Sequence, residues 1–250
     1  MPSYLITGAS RGLGLAFATE LIKNNENKVI ATARNTTGSS GLQDLKKQYP
    51  DSRLVLFDLD VSKPESIQAA AKATEKLLPN GLDNLISNAG VSYSALTSFE
   101  EMGIEDFTNE VNFNITTPIL LLKEFVPLVR KSEAKRILVI TSVLGSIQLG
   151  ASMPGLANGY SVGKAALNML IRKWSAVLKG DGITTALLHP GWVGATEIGD
   201  GIAPWVRKYA PDLENLSEEQ SAADCMKVLN GLTSEDNGEY FNHDGTKLPW

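Results

Sequence analysis

Short runs of Val, Ile and Leu, largely without polar alternation, recur along the chain at 4–7, 28–33, 53–57, 84–87, 136–141 and 184–188, with a shorter one at 239–242. Such runs predict strands covered on both faces. Between them lie segments with helical spacing, such as Leu15, Phe17, Ala18, Leu21 and Ile22, or Leu167, Leu170, Ile171, Trp174 and Leu178. Ser62 as cap, Pro64 in the first turn and Glu65 read as a capping box opening a further helix. The charged stretch 130–136 reads as a solvated helix-to-strand connection. Repeated βα alternation predicts a doubly wound α/β fold, a parallel sheet of about seven strands with helices on both faces. Without an internal repeat or a long linker, the expectation is one domain over residues 1–250.

In such a sheet, ligands bind outside the carboxyl ends of the strands at the point where strand order reverses. After the first strand comes Thr7-Gly8-Ala9-Ser10-Arg11-Gly12-Leu13-Gly14, then a helix. Glycines allow a sharp turn and close approach to a pyrophosphate, and the helix N-terminus supplies free N–H groups. The second strand ends Ala33-Arg34-Asn35, without the carboxylate that would hold a ribose 2′-hydroxyl. Arg34 and Arg11 suit a 2′-phosphate instead, so NADPH is expected rather than NADH.

Later strands end in Asp58-Leu59-Asp60-Val61, Ser87-Asn88-Ala89-Gly90 and Ile140-Thr141-Ser142. Tyr160 and Lys164 are spaced i, i+4 at the start of a helix and share a face. A free tyrosine is a poor acid or base at neutral pH, and the expectation is that the Lys164 ammonium lowers its pKa toward the working range. With a serine hydroxyl beside it, such a tyrosine exchanges a proton with a carbonyl or alcohol oxygen.

Composition narrows the classes. The chain is 43% hydrophobic and 20% charged, with a net charge of -5, which argues against a nucleic-acid partner. No apolar run approaches a membrane span; 118–129 is interrupted by Lys123 and Glu124. One cysteine, Cys225, forbids an internal disulfide, and two histidines, His189 and His243, leave little for a metal centre. The start Met1-Pro2-Ser3-Tyr4 resembles no signal peptide, so a cytoplasmic protein is expected.

Taken together, TGASRGLG at 7–14, SNAG at 87–90, ITS at 140–142, YSVGK at 160–164 and HPGWV at 189–193 resemble the short-chain dehydrogenase/reductase family. TSVLGSIQ at 141–148 and the ending FNHDGTKLPW are similar to its sniffer and C-factor-like carbonyl reductases. The resemblance implies Tyr160 as acid/base, Lys164 as its partner and a ribose ligand, and Ser142 polarising the substrate oxygen. It implies Gly8, Ser10, Arg11, Gly12, Leu13, Gly14, Arg34, Asn88, Ala89 and Gly90 along the cofactor, with Asp60 and Val61 at the adenine and Pro190, Gly191 and Val193 at the nicotinamide. It also implies a relay asparagine, for which Asn112 and Asn114 are candidates; the distance to Pro127 selects Asn114. A homodimer or homotetramer, through the helices that carry Asn114 and Tyr160, is implied in the same way.

Two departures matter. Eighteen residues separate Ser142 from Tyr160, more than is common in the family, so 150–159 must form an extra loop near the site, most simply structural. Position 195 is alanine where the family has a carboxamide-binding threonine, and Thr196 would take the role by a one-residue insertion. His189 reads as strand-end packing. The segment 194–216 is the expected substrate cover, with Trp192 at its base and Trp205 and Tyr209 above an apolar or aromatic carbonyl compound. The same two aromatics would equally pack a short helix. Three readings follow: an NADPH-dependent carbonyl reductase, an NAD-dependent alcohol dehydrogenase, and a non-catalytic dinucleotide sensor. Intact Ser142, Tyr160 and Lys164 favour the first.

Overall fold

The apolar runs become strands β1 (Ser3–Ile6), β2 (Lys28–Ala33), β3 (Leu54–Asp58), β4 (Asn84–Ser87), β5 (Arg136–Ile140), β6 (Thr184–His189) and β7 (Glu239–Asn242) in a computed structural model describing residues 1–93, 95–98 and 100–250. They form one sheet in the order β3-β2-β1-β4-β5-β6-β7, every neighbour parallel. Between them run α1 (Gly12–Ile22), α2 (Ser40–Gln48), α3 (Pro64–Leu77), α4 (Ile104–Lys131), α5 (Ile147–Gly150), α6 (Asn158–Leu178), α7 (Glu197–Tyr209) and α8 (Glu218–Gly231). This is the doubly wound α/β architecture expected from the sequence. The strands match the predicted runs to within a residue at each end, and the shortest, β7, is a full member of the sheet.

Helices cover both faces, which is why the strands carry no polar alternation. On one side Phe17, Ala18 and Ile22 of α1 pack with Ala222, Cys225 and Leu229 of α8 against the sheet. On the other, Ile67 of α3, Leu122 and Phe125 of α4 and Leu167 and Ile171 of α6 do the same. The chain reverses between β1 and β4, and the site lies beyond their carboxyl ends. Among the described residues no helix is long and apolar enough to cross a membrane, and no group of His, Cys, Asp or Glu could hold a metal ion. Cys225 is free and buried.

One local expectation fails. Ser62 does not cap α3; its backbone N–H and hydroxyl both bond Asp60 Oδ1, at 3.1 and 2.6 Å, and Lys63 takes the cap position without a side-chain bond. The Asp60 carboxylate is the stronger acceptor and draws Ser62 away from the helix. Pro64 nevertheless opens the helix as expected.

His189 ends β6 next to Pro190. Its Nδ1 is buried without a hydrogen-bond partner. Burial, with a smaller contribution from His243, pushes its pKa down to about 3, so the ring is neutral. His243 packs on the following turn, where its Nδ1 lies 3.2 Å from Asp224 Oδ2. Neither histidine points to Tyr160 chemistry; both close the end of the sheet.

Two outcomes follow from this packing. Phe125→Ala removes a fully buried ring between α4 and the sheet, and is expected to cost about 3–5 kcal/mol in urea-unfolding stability. The His189 pKa lies below its unfolded value, so the stabilisation is whole above about pH 6.5 and is lost as pH falls toward 3. His189→Gln is expected to flatten the decline in stability between pH 6 and pH 4 by about 1 kcal/mol per pH unit relative to the parent. Equal slopes would place the proton elsewhere.

Candidate active site

The turn after β1 is built on backbone that only glycine adopts easily. Gly8 and Gly12 have φ of +70° and +57°. A Cβ on Gly14 would stand 2.2 Å from the Gly8 carbonyl oxygen. Arg11 is the N-cap of α1 without a side-chain cap, and the first turn holds no acidic residue. The helix therefore presents bare N–H groups and its positive end to an anion. Ser10 gives its carbonyl to Ser39 Oγ at 2.8 Å, tying the turn to the start of α2. Leu13, one residue into α1, packs against the core.

Beside it, Thr7 fixes the turn after β4: its Oγ1 accepts from the N–H groups of Asn88 and Ala89 at 3.0 and 3.1 Å. Asn88 Nδ2 donates back to Thr7 O at 2.9 Å. Arg34 is exposed at the end of β2, and its positive charge helps to hold the Asp60 carboxyl below the usual range, after the larger effect of the Ser62 hydroxyl. Val61 is buried next to Asp60. Arg11 is also exposed and pairs with Glu197 of α7.

Ser142 follows β5 and caps a 3-10 turn, Val143–Gly145, by accepting from Leu144 N–H at 3.2 Å. Its carbonyl accepts from the Tyr240 hydroxyl at 2.5 Å, so β7 braces the residue from behind. Gly145 lets that turn approach α6, since a Cβ there would meet the Lys164 carbonyl carbon at 2.8 Å.

Tyr160 and Lys164 are buried on one face of α6, as the spacing requires. The Lys164 nitrogen donates to Ile140 O at 3.0 Å and sits 5.3 Å from the centre of the Tyr160 ring. Burial pushes its pKa down to about 8. Tyr160 goes the other way from the sequence-based expectation. Burial, and next the charge of Glu110, raise its pKa above that of a free phenol. The ammonium stands over the ring and bonds a backbone carbonyl, and desolvation outweighs its pull on the hydroxyl.

Asn114 is buried and faces this pair, whereas Asn112 is exposed. Asn114 Nδ2 donates to Val91 O and Glu110 O, each at 2.9 Å. Pro118, four residues on, has no N–H to give the Asn114 carbonyl, which is left without its helical partner. Gly90 keeps the space between Asn114 and Lys164 open: a Cβ there would lie 3.2 Å from Asn114 Oδ1 and 3.5 Å from Lys164 Nζ.

On the other side of Tyr160 lies a cavity of about 480 Å³, lined by Tyr93, Ala95, Leu96 and Glu101 from the segment after β4 and by Glu197 and Ile198 of α7, among others. Ala95 and Ile198 also pack with Tyr160, Leu144, Leu156 and Trp205. The extra loop packs behind this wall. Ala157 N–H bonds Ala95 O at 2.8 Å, and the Trp205 indole N–H reaches Pro154 O at 3.4 Å. Trp205 thus packs toward Tyr160, with Tyr209, itself exposed, at 5.2 Å between ring centres. Trp192 ties the two ends of the segment 194–216: its indole N–H donates to Gly199 O at 3.0 Å, and its carbonyl accepts from Leu216 N–H at 2.9 Å.

Pro190 gives its carbonyl to Ser221 Oγ, and Gly191 has a φ of +80°. Val193 is buried, and its carbonyl accepts from Thr196 Oγ1 at 2.8 Å. The Thr196 hydroxyl also caps α7, while its methyl lies 3.6 Å from where a Gly12 Cβ would be. Glu110 and Tyr240 are the contributors the sequence did not signal: neither belongs to a motif, and each reaches the site through tertiary packing.

Residues 3–207 match the short chain dehydrogenase family. The chain is 32% identical to an uncharacterized oxidoreductase of Schizosaccharomyces pombe, over 99% of this chain and 97% of that one. It is 34% identical to a short-chain dehydrogenase/reductase of Arthrinium, covering 98% of each. Among solved structures, an NADPH-bound carbonyl reductase from chicken fatty liver superposes with a TM-score of 0.85 at 32% identity, over 100% of this chain and 99% of that one. The carbonyl reductase Sniffer of Drosophila melanogaster gives 0.87 at 26%, with both chains fully covered. End-to-end similarity and a match over most of its length establish that the chain belongs to the short chain dehydrogenase family.

Proposed function

We propose that the protein is an NADPH-dependent carbonyl reductase that reduces a ketone or aldehyde, with Tyr160 as the proton donor. The observation that supports this reading is that Tyr160 and Lys164 are buried on one face of α6, with Tyr160 packed against Ala95 and Ile198 of the cavity wall, in a chain whose first βα turn is shaped for a pyrophosphate. NADPH when bound supplies the hydride that the carbonyl carbon receives.

The residues fit that cofactor. The bare N-terminus of α1, with Gly8, Ser10, Gly12, Leu13 and Gly14, would hold the pyrophosphate. Arg11 and Arg34 would hold the 2′-phosphate, with no carboxylate at the end of β2 to repel it. Asp60 and Val61 would line the adenine, Asn88, Ala89 and Gly90 the ribose side, and Pro190, Gly191, Val193 and Thr196 the nicotinamide. The NADPH of the chicken liver carbonyl reductase supports this assignment.

Ser142 Oγ accepts from Leu144 N–H, which leaves its own hydrogen for the substrate oxygen. Tyr160 gives its hydroxyl proton to the same oxygen as the alkoxide forms, and a raised pKa keeps it loaded. Lys164 anchors on Ile140 O beside the gap at Gly90, and its remaining hydrogens would be free for the ribose hydroxyls. The freed Asn114 carbonyl would hold a water in that gap, reloading Tyr160 through Lys164. The cover 194–216, with Trp192, Trp205 and Tyr209, would exclude water and favour an apolar or aromatic substrate. Val162, Met169 and Val177, exposed on α6, support a homo-oligomer. A cytoplasmic setting completes the reading.

Tyr160→Phe is expected to lower kcat about 10²–10⁴-fold on a ketone the parent reduces, with NADPH binding unchanged by fluorescence. Near-normal turnover would refute Tyr160 as the acid. Arg34→Asp is expected to weaken NADPH binding at least tenfold and to leave NADH nearly untouched, as read by titration of each dinucleotide. Equal loss for both would remove Arg34 from the 2′-phosphate site.

A further inference from the structure

Glu110 is a buried carboxyl that none of the steps above uses. It lies on α4 one turn before Asn114 and is 2% exposed. Its Oε1 accepts from Tyr93 N–H at 3.1 Å. Its Oε2 occupies the place where a Cβ on Gly159 would approach to 2.5 Å, so α6 can pass α4 here only because residue 159 is glycine. The next residue is Tyr160. The carboxyl thus sits at the first turn of α6, whose cap residue, Ala157, offers no side-chain acceptor. A helix N-terminus and a backbone N–H both stabilise an anion there, against the burial that raises the carboxyl pKa.

We propose that Glu110 is a positioning residue acting through Tyr160: its carboxylate opposes the phenolate and holds Tyr160 as the hydroxyl that donates to a carbonyl oxygen. Two buried charges then act on Tyr160 in opposite senses. Lys164, from α6, favours the phenolate, and Glu110, from α4, disfavours it. Of the other groups around them, Tyr240 of β7 stays neutral, its hydroxyl given to Ser142 O. Asp106, at the start of α4, adds a weaker negative charge beside Glu110. Glu101 and Glu197 are exposed on the cavity rim, where water screens them.

The residue cannot change the overall equilibrium of the reaction, which no catalyst does. It sets the pH at which each direction finds Tyr160 in the right form. Reduction needs the hydroxyl, which gives its proton to the substrate oxygen while the carbonyl carbon takes hydride, and which is then reloaded from water. Alcohol oxidation needs the phenolate, to take the hydroxyl proton of the alcohol as hydride leaves for NADP. With Glu110 charged, oxidation opens only at higher pH.

The inference rests on Tyr160 as acid/base, and the test separates the two. Whole enzyme is assayed for alcohol oxidation with NADP across pH, as parent, Glu110→Gln and Glu110→Ala, with NADPH binding followed by fluorescence. Gln keeps an acceptor for Tyr93 N–H and removes only the charge; Ala removes both. Both variants are expected to lower the pKa that limits kcat/KM by about one unit, which is tenfold more phenolate below the parent's threshold. Dinucleotide affinity is expected to stay within about twofold, because Glu110 lies apart from the glycine turn. If Gln leaves the pKa where the parent has it, or only Ala moves it, the charge is not the agent and the inference falls. Should Gln fail to fold, the same shift in Ala alongside unchanged NADPH affinity supports the charge, and an unmoved pKa in Ala overturns it. If Tyr160→Phe remains active, the acid/base assignment itself fails, whatever Glu110 does.

Discussion

The close approach of α4 and α6 is the constraint on which the site depends. Glycine at 159 and 163 lets the two helices come together: a Cβ at 159 would strike Glu110, and one at 163 would lie 3.2 Å from the Asn114 Cβ. On the far side of α6, Gly145 admits the turn after β5 to the backbone of Lys164. Three small residues thus bring Asn114, Ser142, Tyr160 and Lys164 out of water together. Desolvation then does what spacing alone does not. It raises the phenol, lowers the ammonium and makes the neighbouring carboxyl matter, because charges interact strongly where the effective dielectric is low.

The same desolvation explains why the pair is quiet in this state. Burial raises the Tyr160 phenol and lowers the Lys164 ammonium only to about 8, so near neutral pH the tyrosine is the hydroxyl and the lysine keeps its charge. The ammonium is committed to Ile140 O and to the ring face, and the tyrosine packs with Leu144, Leu156 and Trp205. In the role proposed for it, Tyr160 rests as the hydroxyl, the form that donates a proton to a developing alkoxide.

Much of this was legible in the chain before any coordinate. Uninterrupted apolar runs fixed the strands, even the four-residue β7, because strands buried on both faces leave that signature in residue type. Spacing placed Tyr160 and Lys164 on one face, and the register of α4 turned Asn114 inward and Asn112 outward. What depended on competition between neighbours was not legible. Ser62 looked like a cap until the Asp60 carboxylate took its hydrogen bonds. The sign of the Tyr160 shift depended on enclosure by residues far along the chain, which a local i, i+4 pair does not reveal. Glu110, in a polar stretch reading Asn109-Glu110-Val111-Asn112, has the surroundings of a solvated residue in sequence and is buried only because α6 crosses it. The partners of the loop at 150–159 were not legible either: it ties Trp205 of α7 through Pro154 and the cavity wall at Ala95 through Ala157.

The pairing of Arg11 with Glu197 would compete with a phosphate for the guanidinium, and magnitudes decide which wins. Both side chains are about three-quarters exposed. An exposed pair of this sort contributes at most about 1 kcal/mol and weakens further with salt. The cover does not need it. Trp192 binds Gly199 O, Asn215 Oδ1 accepts from Gly194 N–H at 2.8 Å, and Ile198, Ile202 and Trp205 pack beneath. A phosphate dianion offers a guanidinium bidentate, charge-assisted bonds that a single exposed carboxylate contact does not match. Arg11 can therefore turn from α7 to the glycine turn at small cost, and the cover keeps its place when it does.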